Sequence, residues 1–146
     1  MTIAEVLRSK GPRVIRIRPE SSLLEAIRAL VDNGVGSLVV SDGEGRVVGM
    51  ITERDILREN ARSFDRLSER RVADVMTEDV IIGLPDDRVD YVMALMTEKR
   101  IRHLPVISQG QLVGIISIGD VVKAKVREAE VEIRHLTDYI VGRYPG

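Results

Sequence analysis

The stretch Val47-Val48-Gly49-Met50-Ile51-Thr52-Glu53-Arg54-Asp55 returns downstream as Leu112-Val113-Gly114-Ile115-Ile116-Ser117-Ile118-Gly119-Asp120. One copy of such a short pattern would mean little. The surroundings repeat as well. Ser22-Leu23-Leu24-Glu25-Ala26-Ile27-Arg28-Ala29-Leu30 lies over Arg88-Val89-Asp90-Tyr91-Val92-Met93-Ala94-Leu95-Met96 at an offset of 66, with apolar positions coinciding. At the same offset Val35-Gly36-Ser37-Leu38-Val39-Val40 falls on Ile101-Arg102-His103-Leu104-Pro105-Val106, Pro19 on Pro85 and Val14 on Val80. With a three-residue difference allowed, Ile3-Ala4-Glu5-Val6-Leu7 reads like Val72-Ala73-Asp74-Val75-Met76. Two homologous units fill the chain. Their expected spans are 1–61 and 72–127, joined by a polar linker over 62–71 and followed by a helical extension over 128–146.

Each unit reads locally as βαββα. Val14-Ile15-Arg16-Ile17 is a β-branched strand closed by Pro19, and Ser21 or Ser22 caps a helix that Asn33-Gly34 ends. Strands over 37–41 and 46–51 form a hairpin about Asp42-Gly43-Glu44-Gly45, whose glycines allow positive φ. A helix follows from Glu53 to about Ala61, and the second unit has the same order, with 107–111 as its hairpin loop. Runs such as Leu38-Val39-Val40 are too continuously apolar for a sheet wetted on one face, so helices or the other unit must cover each sheet. The expected class is α/β (α+β): two units with small mixed sheets plus a long C-terminal helix.

Composition narrows the function. Of 146 residues 44% are hydrophobic and 31% charged, but only 3% are aromatic, with no Trp and one Phe. A stacking platform for single strands is missing, and a net charge of -1 supplies no field for a phosphate backbone, so nucleic acid is not an expected partner. Without cysteine there is no thiol nucleophile, thiolate metal site or disulfide. No apolar run approaches the roughly 20 residues of a membrane span and the N-terminus has no signal pattern, so the expectation is a cytoplasmic protein without a membrane partner.

The repeated signature has a chemistry of its own. A Thr or Ser at a strand end and an Asp three residues later set a hydroxyl and a carboxylate on the first turn of the next helix. The ionised Asp can accept from both ribose hydroxyls, and the helix N-terminus suits a phosphate. The same spacing also describes a capping box, in which the acid bonds back to the cap amide. Duplication in register favours the ligand reading. Both copies keep the acid, but Ile118-Gly119 replaces Glu53-Arg54, so the two sites should differ in phosphate affinity. Arg54 is either a phosphate contact or a solvated arginine. His103 is either a structural residue or, beside Arg100 and Arg102, a phosphate neighbour; with His135 far along the last helix, no metal site is expected.

With its two Gly-apolar-apolar-Thr/Ser-x-x-Asp signatures and Arg102-His103-Leu104-Pro105-Val106, the chain resembles tandem cystathionine β-synthase (CBS) domains, the Bateman module. The resemblance implies a pseudo-twofold pair of units with two clefts for AMP, ADP, ATP or another adenosyl ligand, NAD(H) and S-adenosylmethionine being alternatives. It implies ribose recognition by Thr52, Asp55, Ser117 and Asp120, and phosphate contacts from Arg54, Arg102 and His103. Thr77, Pro105 and the apolar Val14, Ile15, Val80 and Ile81 would line the clefts around adenine. The implied role is regulatory and non-catalytic, exerted in trans on an unidentified protein. Two other classes stay open: a dimerisation scaffold with degenerate clefts, and a nucleotide hydrolase using Asp55, Asp120 and His103.

From Asp120 to Tyr144 there is no Pro, and no Gly until Gly142, which predicts one long helix. Val122, Val126, Ala129, Ile133, Leu136 and Ile140 recur in steps of four and three, a heptad stripe flanked by Lys123, Lys125, Glu130 and Glu132. A homodimer built in part on this helix is expected.

Overall fold

The computed structural model describes residues 1–11 and 13–142. In the first unit α1 (Ile3–Lys10) precedes the short strand β1 (Arg16–Ile17), helix α2 (Leu23–Asn33), the hairpin β2 (Ser37–Ser41) and β3 (Val47–Thr52), and helix α3 (Glu53–Ser63). The second runs through α4 (Val72–Val75), α5 (Val89–Lys99), the hairpin β4 (His103–Ser108) and β5 (Gln111–Ser117), and α6 (Ile118–Ile140). Ser22 caps α2 by accepting the Glu25 N–H at 3.1 Å, and Gly34 ends it in the left-handed region. α6 is the long helix expected, but it ends at Ile140, short of the expected reach to Tyr144, with Val141 and Gly142 in a turn; positions 143–146 lie outside the described residues.

β1 pairs parallel with β2, and β2 antiparallel with β3, giving a three-stranded sheet. The second sheet is only the antiparallel pair β4 and β5. The opening strand expected near Val80 is reduced to one parallel bridge, Gly83 to Val106. Pro105 explains the loss. In unit one the Val39 N–H donates to the Ile15 carbonyl at 3.1 Å. Pro105 stands at the position of Val39 and has no N–H to give, so the ladder cannot run back to Ile81. β1 in turn is shorter than the expected 14–17, with Ile15 contributing only that carbonyl.

Two cores form, and each takes its lead-in helix from the other end of the chain. Leu23, Ala26, Leu30, Leu38, Val40, Ile51 and Ile56 are packed with Val72 of α4. Val89, Val92, Met96, Leu104, Val106, Ile116, Val121 and Ala124 are packed with Ile3 and Val6 of α1. The stretch expected as a polar linker is ordered: a 3-10 turn spans Phe64–Arg66, Leu67 packs on the first core, and Arg70 pairs with the buried Glu59 at 2.9 Å. Only Val121 and Ala124 of α6 are buried. Along the predicted stripe Val122, Val126, Ile133, Leu136 and Ile140 are exposed, Ile140 to 80%. Lys125 is not free to pair between subunits, because it bridges Asp90 at 2.5 Å and Glu128 at 3.1 Å.

Candidate functional site

A cleft of about 840 Å³ opens between the two units. The end of β3 and the first turn of α3 supply Thr52, Glu53, Arg54, Asp55, Leu57 and Arg58 to its wall. Opposite them stand Thr77, Asp79, Val80 and Ile81, the run Arg100-Ile101-Arg102-His103 at the start of β4, and Ser117, Ile118 and Gly119 at the start of α6. Met50 and Gly36 complete the lining.

Nine of the expected site residues therefore meet in one place: Thr52, Arg54, Asp55, Thr77, Val80, Ile81, Arg102, His103 and Ser117. Val14, Ile15, Pro105 and Asp120 are not among the residues that line this cleft. Val14 and Ile15 lead into β1, and the Ile15 side chain packs on the first core. Pro105 is buried within β4 opposite Ile115, so its effect is on the ladder. Asp120 is bound by Lys10, whose Nζ donates to Oδ2 at 2.6 Å. The sequence reading missed Arg58, Asp79, Leu57, Met50, Ile101 and Gly36, and named Arg100, Glu53, Ile118 and Gly119 only as neighbours of site residues. Arg58 and Asp55 are three apart on one helix face, which was a usable signal; Arg100 reaches the same opening two residues before Arg102.

The cap and the ligand reading are compatible. In the first copy the Thr52 N–H and Oγ1–H both donate to Asp55 Oδ2, at 3.0 and 3.1 Å, and the Asp55 N–H donates to Thr52 Oγ1 at 3.3 Å. The Ser117 N–H donates to Asp120 Oδ2 at 2.9 Å, and the Asp120 N–H to Ser117 Oγ at 3.1 Å. Both signatures are capping boxes. The cap uses only Oδ2, so Oδ1 of Asp55 keeps its acceptor capacity and a fixed direction. On the facing wall the missing ladder leaves Ile81 without a backbone partner among the described residues.

The cleft lining is rich in charge. Arg54, Arg58, Arg100 and Arg102 surround the opening against the carboxylates of Glu53, Asp55 and Asp79. The N-terminus of the 23-residue α6 points into the same space through Gly119, adding the positive end of a helix dipole. His103 is half-buried, and a Cβ on Gly36 would come within 3.5 Å of its ring and 3.2 Å of the Glu53 carboxylate. Burial first, then the neighbouring Lys10 and Arg102 charges, pull its pKa below the ordinary 6.5 despite Glu53 and Asp120. His103 is therefore neutral near pH 7. Asp120 titrates below the ordinary carboxylate value: burial pushes it up, but the bonds from Lys10 and the Ser117 amide outweigh that. Among the described residues no group of three His, Cys, Asp or Glu is placed to hold a metal ion, and no helix is long and apolar enough to cross a membrane.

The chain is similar throughout to proteins of known family. The family model described as CBS domain matches residues 3–62 and again 72–127. A CBS domain-containing protein of Arabidopsis thaliana, CBSX3, mitochondrial, is 38% identical over 98% of this chain and 73% of its own length. The crystal structure of the CBS-domain containing protein ATU1752 from Agrobacterium tumefaciens superposes with a TM-score of 0.83 at 38% identity, covering 86% of this chain and 99% of that one. The CBS domain pair of protein MJ0100, solved in complex with 5′-methylthioadenosine and S-adenosyl-L-methionine, superposes with a TM-score of 0.78 at 25% identity, covering 88% of this chain and 98% of that one.

Proposed function

Because the chain belongs to the CBS-domain family, we propose that it is a non-catalytic regulatory module that binds AMP, ADP or ATP in the cleft of Asp55 and acts on another protein. The convergence of Asp55 with four arginines and the α6 N-terminus around one opening carries this reading. Asp55 Oδ1 accepts a ribose hydroxyl, a charge-assisted bond about twice as strong as a neutral one. The base lies between Met50, Val80 and Ile81, where the unpaired Ile81 amide and carbonyl offer a donor and an acceptor to its edge. Phosphates lie toward Arg54, Arg100, Arg102 and Gly119. The relative solved with methylthioadenosine and S-adenosylmethionine supports an adenosyl ligand in this fold. The arginine rim favours an anion over those two, one uncharged and one a sulfonium cation, because guanidinium forks fit phosphate oxygens bidentately.

Titration calorimetry with AMP, ATP, adenosine and S-adenosylmethionine on the parent and on Asp55→Ala tests it. The phosphorylated ligands bind more tightly than adenosine, and Asp55→Ala weakens AMP by about 1.5–3 kcal/mol, roughly 10- to 150-fold. Equal affinity for adenosine and AMP, or an unaffected Asp55→Ala, overturns the reading. The exposed stripe on α6 adds a homodimer to the proposal.

A further inference from the structure

We propose that Lys10, carried by an extra turn of α1, holds the second signature copy shut, so that the chain takes up one adenine nucleotide and Lys10 sets that number. The proposal rests on the reading of the Asp55 cleft given above. Among the differences between the two copies, one bears directly on the signature aspartate. α4 is four residues long, and the chain leaves it extended, so that Thr77 pairs with Met50 through Thr77 N–H to Met50 O at 2.8 Å and Met50 N–H to Thr77 O at 3.0 Å. The counterpart of Met50 is Ile115. Its carbonyl accepts from Lys10 Nζ, also at 2.8 Å, because α1 is eight residues long and brings an ammonium where the first copy brings a backbone N–H.

That ammonium reaches one group further. It donates to Asp120 Oδ2 at 2.6 Å, on the oxygen that already closes the Ser117 cap. Asp55 accepts only from Thr52 among the described residues. The Lys10 and Asp120 side chains are 30% and 23% exposed, so the pair is partly shielded from water. A ribose hydroxyl arriving at Asp120 would meet a carboxylate whose charge an ammonium already neutralises, so the bond it forms there is weaker than the one the Asp55 carboxylate offers. Cations are also favoured at a helix C-terminus, where Lys10 stands, which holds it in place. Asp120 is accordingly withdrawn from the open cleft while its neighbours Ser117, Ile118 and Gly119 line it.

Calorimetric titration of the full chain with AMP and with ATP tests the latch, using Lys10→Met to keep the aliphatic stem and remove the charge. The parent binds one nucleotide per chain, and Asp120→Ala leaves that site in place. Lys10→Met doubles the stoichiometry. Lys10→Met with Asp55→Ala keeps one site, and adding Asp120→Ala abolishes it. Lys10→Gln serves where Lys10→Met melts early in circular dichroism. A folded Lys10→Met or Lys10→Gln protein that still binds one nucleotide overturns the latch and leaves the Asp55 reading standing, as does a parent that binds two. Uptake by neither parent nor variant brings down both.

Discussion

Gly49 and Gly114 lack side chains because the lead-in segment of a unit lies directly on each. A Cβ on Gly49 would stand 2.8 Å from both Met76 Sδ and the Thr77 carbonyl oxygen, and one on Gly114 would stand 2.6 Å from Leu7 Cδ2. The two obstacles differ in kind. A leucine tip can turn away, whereas Thr77 O is fixed in its pairing with Met50. Gly49→Ala should therefore cost about 1–3 kcal/mol, the scale of overpacking, and Gly114→Ala less. Urea unfolding of both variants checks the order, and equal losses would mean that the backbone contact yields as easily as the side chain. His103 gives a second expectation. Its folded pKa lies below the ordinary 6.5, so the unfolded chain binds more protons as pH falls through 6.5, and the folded state loses stability there. Melting temperatures from pH 7.5 down to 5.5 should fall more for the parent than for His103→Gln; parallel curves would show that His103 titrates freely in the fold. A bound phosphate opposes the burial effect, so AMP binding should tighten over the same interval.

At the scale of elements, the exchange of lead-in helices decides where a lesson in one half is felt. Ile3 is fully buried, yet it packs with Val89, Val92 and Leu104 of the other unit. Ile3→Ala removes buried methyls at a cost of about 2–5 kcal/mol. Hydrogen exchange should then speed up in β4 and β5 before β2 and β3; faster exchange in β2 and β3 first would contradict the exchanged packing. Several elements were legible, though not the lead-in helices α1 and α4 or the loss of the opening strand in the second unit. Ser22 as cap, Gly34 as stop and β2 over 37–41 follow from residues within a few positions of one another. The partner of α1 was not, since an amphipathic stripe of Ile3 and Val6 states that it must be covered and not by what. Nine residues of the cleft follow from the repeated signature together with the resemblance to tandem CBS domains. Asp120 could not be separated from Asp55, because the ammonium that binds it comes from 110 positions away. Pro105 was the one long-range effect open to reading: a missing N–H at a ladder position is visible in the sequence once the units are aligned.

For the whole molecule, the open question is what covers α6. Its buried residues are Val121 and Ala124, while Val126, Ile133, Leu136 and Ile140 are exposed at 51%, 63%, 58% and 80%. Apolar side chains in a continuous stripe on a projecting helix are poorly matched to water, at about 25 cal/mol for each Å² left uncovered. A second copy offers a stripe of the same spacing, and a twofold axis lets each chain cover the other with one surface. The alternation of Val126, Ile133 and Ile140 with Val122, Ala129 and Leu136 gives β-branched residues at one heptad position, the arrangement that suits two strands. With Lys125 engaged by Asp90 and Glu128 inside its own chain, flanking charge pairs across the axis are left to Lys123, Glu130 and Glu132. Ile133→Asp places two carboxylates near the axis in an apolar seam, where neither finds a partner, and each ionised group there costs several kcal/mol to desolvate. Sedimentation equilibrium should find the parent a dimer and Ile133→Asp a monomer with its own fold intact. Helical signal from 129–140 should fall in the same variant, because a free helix of that length is marginal without a neighbour. A monomeric parent, or an Ile133→Asp protein that remains dimeric, would place the cover of α6 elsewhere.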